Sequence, residues 1–365
     1  LNTEIEAIPA GAVIGILGGG QLGRMLATAA SALGFRTHIF CPEADGPAAQ
    51  VSDLETVAAY EDEAALTKFA QSIDVATYEF ENIPLRTAEI VAALCPLRPG
   101  VRSLEMTQDR LIEKNFVRDA GATTANFADI VNVEDCAAAL EQIGAPGILK
   151  TRRFGYDGKG QLEIKSCASA ADVEKAFADL GRVPLILEQK ISFVCEISAV
   201  IGRALDGRMA IFDMVRNVHQ NGILYTSTVP ANVDRVVIAS AQDVTTKIAA
   251  ALDHVGVLAV EFFVTEEQSV LVNEIAPRVH NSGHWTIDAC DTDQFAQHIR
   301  ALTGMLLGDP ARHADAVMTN LIGDDVADAA TLQEMADTNV HLYGKSETRP
   351  GRKMGHVTRV SPLSK

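Results

Sequence analysis

The chain has 365 residues, 47% of them apolar and 22% charged, which is room for two or three domains, each with its own core. Its 48 acidic against 31 basic residues give a net charge of −17, a field that repels nucleic-acid backbones. Any phosphorylated ligand must then be held by local clusters of Lys, Arg and backbone N–H groups.

In the first third, strand and helix alternate. Residues 12–17 form an apolar run, 21–33 have helical spacing stopped by Gly34, and 36–41 read as a second strand. A helix over 63–72 and a strand over 74–78 follow, which predicts a parallel sheet with right-handed crossovers. One long amphipathic helix over 103–120 is expected to lead into a second domain. There, helix 133–143, strand 147–151, strand 161–165, helix 169–180 and strand 185–189 form an α+β unit. Strands 196–203 and 208–215 meet through Asp206-Gly207, a strong hairpin signal. Helix 238–252 precedes a further strand pair, 257–265 and 270–275. From about residue 316 come short strands and a basic segment, 349–353. The first ten residues are polar and read as a tail, and no apolar run approaches the roughly 18 residues that span a bilayer. Cys41, Cys95, Cys136, Cys167, Cys195 and Cys290 make no C-x-x-C pair, which predicts reduced thiols in a cytoplasmic protein.

Three segments carry chemistry. Gly18-Gly19-Gly20-Gln21-Leu22-Gly23 satisfies G-x-G-x-x-G between a strand and a helix. A helix end of this kind offers free N–H groups to an anion. The preferred occupant is the phosphate of a small substrate. A dinucleotide site using Glu43 and plain helix–strand packing are the alternatives. The second segment runs from Lys150 to Gln161, where Gly155, Gly158 and Gly160 bend a loop around Lys159. Glycines expose backbone donors and lysine brings a point charge, so the loop suits phosphates, although it lacks a Walker ending. A solvated basic turn is the alternative.

The third is the strand pair 257–265 and 270–275. A turn centred between Glu267 and Gln268 sets Glu261 directly opposite Glu274, with Cβ atoms about 4.5–5.5 Å apart, where like charges oppose folding. A hard dication would relieve that repulsion, and carboxylates with nucleotide phosphate oxygens are what Mg²⁺ accepts. A register slip would instead leave both carboxylates in water. Asn273 points to the other face unless a bulge turns it. Arg278, His280, Asn281, Ser282 and His284 follow as a dense polar set. Two histidines without a third nearby do not make a zinc site.

The blocks GGGQLGRM, TYEFEN, RRFGYDGKGQ, EQKISFVCE, RNVHQNGI, NEIAPRVHNSGHWT and RPGRKMGH occur in this order along the chain. Together they resemble the ATP-grasp superfamily and, within it, the N5-carboxyaminoimidazole ribonucleotide synthetases. Cys195, where a small residue is expected, is a minor departure. The resemblance implies an α/β and α+β protein. Its parts are a tail (1–11), a Rossmann-like domain (12–108), an ATP-grasp domain of two lobes (109–310, small lobe about 122–188) and a β-rich C-terminal domain (311–365). It implies ATP binding by Arg110, Lys150, Gly155, Tyr156, Asp157, Gly158, Lys159, Gly160, Gln161, Glu188, Gln189, Lys190, Ile191, Glu196, His219, Asn273 and Glu274. Glu261 and Glu274 would hold Mg²⁺, or Mn²⁺ in its place. Aminoimidazole ribonucleotide would meet Gln21, Leu22, Glu79, Tyr156, Asp157, Arg278, His280, Lys345, Arg352 and Lys353. The tail cations and the first helix end would take its phosphate.

The implied chemistry is attack of bicarbonate on ATP to give carboxyphosphate, then carboxylation of the imidazole amine. Asp157 and His280 are the candidates to orient or deprotonate the amine, with Arg278 and Lys159 completing the catalytic set. A homodimer without nucleic-acid or membrane partners is expected. A formate-using glycinamide ribonucleotide transformylase and, more remotely, an NAD(P)-dependent oxidoreductase are the competing readings.

Overall fold

Apolar runs without alternation suit strands covered on both faces. The computed structural model, which describes residues 7–155 and 158–364, buries them in the middle of a parallel sheet. Strand β1 (Val13–Leu17) lies between β2 (Arg36–Cys41) and β4 (Val75–Tyr78), with β3 (Leu54–Val57) on the edge. The connecting helices are α1 (Gln21–Ala32), α2 (Glu63–Ala70), α3 (Leu85–Ala92) and α4 (Val101–Thr107). β3 carries no apolar alternation because it is an exposed edge, so nothing in its pattern announces it.

The single helix expected over 103–120 is two. α4 stops at Thr107, and α5 (Arg110–Asp119) starts afresh after Asp109, whose carboxylate accepts the N–H groups of Leu111 and Ile112. An N-cap aspartate inside an amphipathic stretch is the physical reason for the break.

Next come β5 (Phe127–Ile130), α6 (Asp135–Ile143), β6 (Gly147–Thr151), β7 (Gln161–Ile164), α7 (Ala170–Asp179) and β8 (Leu185–Gln189). They build a small antiparallel sheet in the order β5-β8-β6-β7. The larger sheet contains β9 (Cys195–Arg203), β10 (Met209–Ile211), β11 (Val215–Gln220), β12 (Ile223–Val229), β13 (Gly256–Val264) and β14 (Val270–Ala276). Helices α8 (Arg235–Ala251), α9 (Thr286–Ala289) and α10 (Gln294–Thr303) accompany it. The strand expected over 208–215 is only the short β10 beside β9, and Val215 already opens β11.

The last strands, β15 (Asp315–Ile322), β16 (Thr338–Leu342) and β17 (Lys353–Ser361), join with α11 (Ala329–Gln333). They do not form a sheet of their own. β15 pairs with β12, and the order runs β14-β13-β9-β11-β12-β15-β17-β16. The tail thus enters the edge of the site as part of the same sheet. One apolar core, containing Leu26, Val200, Phe295 and Met318, joins α1 to this sheet through α10.

Candidate active site

Glu261 faces Glu274 across β13 and β14, in the register that the sequence pattern predicts, although the hairpin reaches it by another route. Near the turn the partners are Phe262 with Val272 and Val264 with Val270. An irregularity beside Glu261 then takes up Asn273 as an extra residue and restores the pairing. That bulge is also what Asn273 needs to leave its expected face. Its Oδ1 is buried without a hydrogen-bond partner.

The electrostatics of the acidic pair are asymmetric. Burial and the Glu274 charge push Glu261 up to about 7. Burial acts on Glu274 too, but Arg110, 3.1 Å away, with Lys150 and Lys114 holds it below the ordinary carboxylate range. Three oxygen donors, two of them carboxylates and one an orphaned amide oxygen, form a hard-ligand set that fits Mg²⁺ or Mn²⁺.

Beside this pair, Lys150 Nζ lies 3.0 Å and Lys114 Nζ 3.3 Å from Glu188, in a nearly dry setting. Burial lowers the Lys150 ammonium, against the pull of Glu188. His219 donates from Nδ1 to the Glu196 carboxylate across β9 and β11, and against burial is raised by Glu196 and Glu261. Gln189 and Lys190 are exposed at the end of β8, with Ile191 half-buried after them. Among the loop glycines, Gly158 and Gly160 adopt φ of +76° and +70°, a region that favours glycine. Gly155 accepts from Arg110 at 3.4 Å. Gln161, first residue of β7, pairs with Lys150. Tyr156 and Asp157 lie outside the described residues.

A cavity of about 390 Å³ is lined by Gln21, Leu22, Glu79, Arg110, Glu274, Arg278, His280 and Lys353, among others. A second, of about 480 Å³, touches Gln21 and Lys353 as well and gathers Lys159, Lys345, Arg349 and Arg352. Lys159 therefore sits with the tail cations. In a chain this acidic, such a cluster is a local concentration of positive charge.

The end of α1 is different from expectation. The N–H groups of Gly20 and Gly23 donate to the Glu79 carboxylate, the latter at 2.7 Å. A carboxylate of the chain itself thus takes two of the N–H groups that the glycine motif offers, while Gln21 and Leu22 beside them line the cavity.

His280 is half-buried, and burial with the charges of Arg278 and Lys353 lowers it to about 3. Its Nδ1 accepts from the Ser282 N–H at 3.3 Å and faces Ser282 Oγ at 2.9 Å, so Nε2 carries the proton and points towards Glu261, 3.6 Å away. In this tautomer it is a donor. Arg278 pairs with Glu81, which holds Glu81 low against its burial.

Sequence reasoning missed Glu81, Glu113 and Lys114. The cap at Asp109 is the signal that places Arg110, Glu113 and Lys114 on one face of α5. The fold also brings Asp288, His341 and His356 within 4.8 Å of one another. His341 already donates to Asp288 at 2.9 Å, and the His341 and His356 rings are stacked at 4.5 Å, so their nitrogens do not converge on one ion.

Family models match in three successive blocks. These are a ribonucleotide synthetase preATP-grasp domain over residues 11–108, an ATP-grasp domain over 115–295, and a phosphoribosylaminoimidazole carboxylase C-terminal domain over 316–364. N5-carboxyaminoimidazole ribonucleotide synthase of Brucella melitensis biotype 1 is 48% identical over 352 residues, covering 96% of this chain and 97% of that protein. A solved N5-carboxyaminoimidazole ribonucleotide synthetase in its ADP complex superposes with a TM-score of 0.93 at 39% identity, over 98% of this chain and 94% of its own. The Aspergillus clavatus enzyme, solved with ADP and 5-aminoimidazole ribonucleotide, gives 0.90 at 30% identity, over 96% and 94%.

Proposed function

The chain belongs to the N5-carboxyaminoimidazole ribonucleotide synthase family, and on that premise we propose how its own residues divide the work of an ATP-dependent carboxylation. It is a carbon–nitrogen ligase of purine biosynthesis that converts 5-aminoimidazole ribonucleotide to N5-carboxyaminoimidazole ribonucleotide with ATP.

One observation carries the assignment of roles: Glu261 opposite Glu274, at a bulge that leaves Asn273 Oδ1 without a partner. These three would hold Mg²⁺, which when bound neutralises charge on the nucleotide phosphates. Lys150 and Arg110 approach the same phosphates, with Glu188 to Ile191 and the Glu196–His219 pair towards the base and ribose. A bicarbonate oxygen attacks the γ-phosphorus while the bond to ADP breaks, and Lys159 stabilises the transferring group. The imidazole amine then forms its bond to the carboxyl carbon as phosphate leaves, and the amine proton passes to a base. The Nε2–H tautomer of His280 suits orienting the nucleotide more than removing that proton, which favours Asp157 as the base. Lys345, Arg352 and Lys353 take the ribonucleotide phosphate. Six free thiols support a reducing compartment, the cytoplasm. A homodimer follows from the family resemblance.

Omitting ATP, bicarbonate or the ribonucleotide in turn, while following ADP release, tests the reaction. Full activity with formate in place of bicarbonate would overturn it. Glu274→Ala is expected to abolish turnover in a folded protein; retained activity would remove the cation site.

A further inference from the structure

β14 is the outermost strand of the large sheet, so the backbone groups on its outer side face no neighbouring strand. Several are nonetheless taken. The Val272 N–H donates to the Thr123 carbonyl at 2.8 Å. The Asn273 carbonyl accepts from Lys114 Nζ at 3.2 Å, and the Ile275 N–H donates to Glu113 Oε1. Between them, the Glu274 carboxylate accepts from Arg110.

Arg110, Glu113 and Lys114 stand at i, i+3 and i+4 of α5, on one face. One helical turn therefore grips three consecutive residues of the bulged strand. Glu113 is 3% and Lys114 2% exposed, and burying two such groups is costly unless each is fully engaged. Lys114 also reaches Glu188 on β8, so the same turn ties the small sheet to the bulge.

Side chains alternate with a period of two, so a bulge displaced by one residue along β14 would exchange the faces of Asn273 and Glu274. We propose that Glu113 and Lys114 are positioning residues that pin the bulge of β14 and thereby set the affinity of the cation–nucleotide site. This rests on Glu261 and Glu274 being the cation ligands.

The test uses the full chain with ADP and Mn²⁺, following free Mn²⁺ by electron paramagnetic resonance without turnover. Glu113→Ala and Lys114→Met are expected to weaken Mn²⁺ binding about tenfold or more, as loss of groups supporting metal ligands does. Glu113→Gln keeps an acceptor for the Ile275 N–H and is expected to restore most of the affinity. In turnover, the Mg²⁺ needed for half activation rises while KM for the ribonucleotide stays put. A folded Glu113→Ala that binds Mn²⁺ like the unaltered protein overturns the proposal, as does a Gln variant no better than Ala.

If both truncations fail to fold, hydrogen exchange at the Ile275 amide of the unaltered protein decides. Slow exchange without nucleotide supports the clamp, and free exchange overturns it. Glu274→Ala separates the two levels. Should it keep Mn²⁺, the ligand reading fails and takes the proposal with it; should it lose Mn²⁺ while Glu113→Ala does not, the proposal fails alone.

Discussion

A methyl group built on Gly20 would lie 2.6 Å from the Glu79 carboxylate, and one on Gly18 2.3 Å from its Cγ. The glycines are small so that a side chain from the end of the parallel sheet can reach the helix N–H groups. Gly20→Ala is accordingly expected to cost about 1–3 kcal/mol, as overpacking does, read as a lower denaturant midpoint. An unchanged midpoint would mean that Glu79 is not held there. Lys150→Met should raise KM for ATP about ten- to a hundredfold, the worth of a hydrogen bond to a charged group, while leaving KM for the ribonucleotide unchanged. At this scale the Glu261–Glu274 pair was legible as two acids on facing strands, but the bulge that brings them opposite each other was not, because the pairing nearer the turn differs by one residue from the simple hairpin. Glu79 was legible as a site residue but not as the occupant of the helix end, since its partners lie 59 and 56 residues away in sequence. Nothing local specifies that contact.

The loop between β6 and β7 depends on conformations that only glycine adopts cheaply. A side chain on Gly160 would combine φ of +70° with a Cβ 2.5 Å from the Thr151 hydroxyl. Gly158 packs against the turn at Asn221 and Gly222, between β11 and β12, so the loop already touches the opposite lobe. Gly160→Ala is expected to hold the loop off that turn at a strain of about 1–3 kcal/mol. Carboxyphosphate would then meet water, and ADP release should exceed product formed. A one-to-one ratio in this variant would show that the loop does not guard the intermediate. The glycine spacing announced this element. The split between α4 and α5 was hidden because the apolar pattern runs through it, and only the Asp109 side chain, which also pairs with Arg152 at 2.8 Å, forces the stop. The hairpin of β11 and β12 was hidden by its mixed polarity, with Val218 exposed and Asn217 buried.

Two neutral histidines sit where the parallel-sheet domain meets the large sheet. His298 accepts the Val257 N–H on Nδ1 and faces Thr77 through Nε2, while His254 faces Ser103 and the Val257 carbonyl. Burial lowers His298 to about 3 and His254 to about 4. A base whose folded value is depressed stabilises the protein above its unfolded value, near 6.5, and that stability is lost as the pH falls. Burial pushes Glu113 and Glu261 up to about 8 and about 7, which acts in the opposite sense, so the histidine effect is read as a difference. His298→Gln should be the less stable protein at about pH 7.5, and its deficit should shrink by about 2 kcal/mol by about pH 5. A constant deficit would mean that the imidazole takes up its proton in the fold as readily as in the unfolded chain.

Three blocks in order were legible at the scale of the whole molecule. The continuity of the large sheet was not, because the strands of a sheet need not follow the order of the chain. Among the described residues β16 pairs in that sheet with β17 alone, which comes later in the sequence. β16 therefore gains its sheet partner only when the later strand, β17, is in place. Because Lys345, Arg352 and Lys353 lie on or between those two strands, their cluster is assembled only once β17 has paired with β15 and β16.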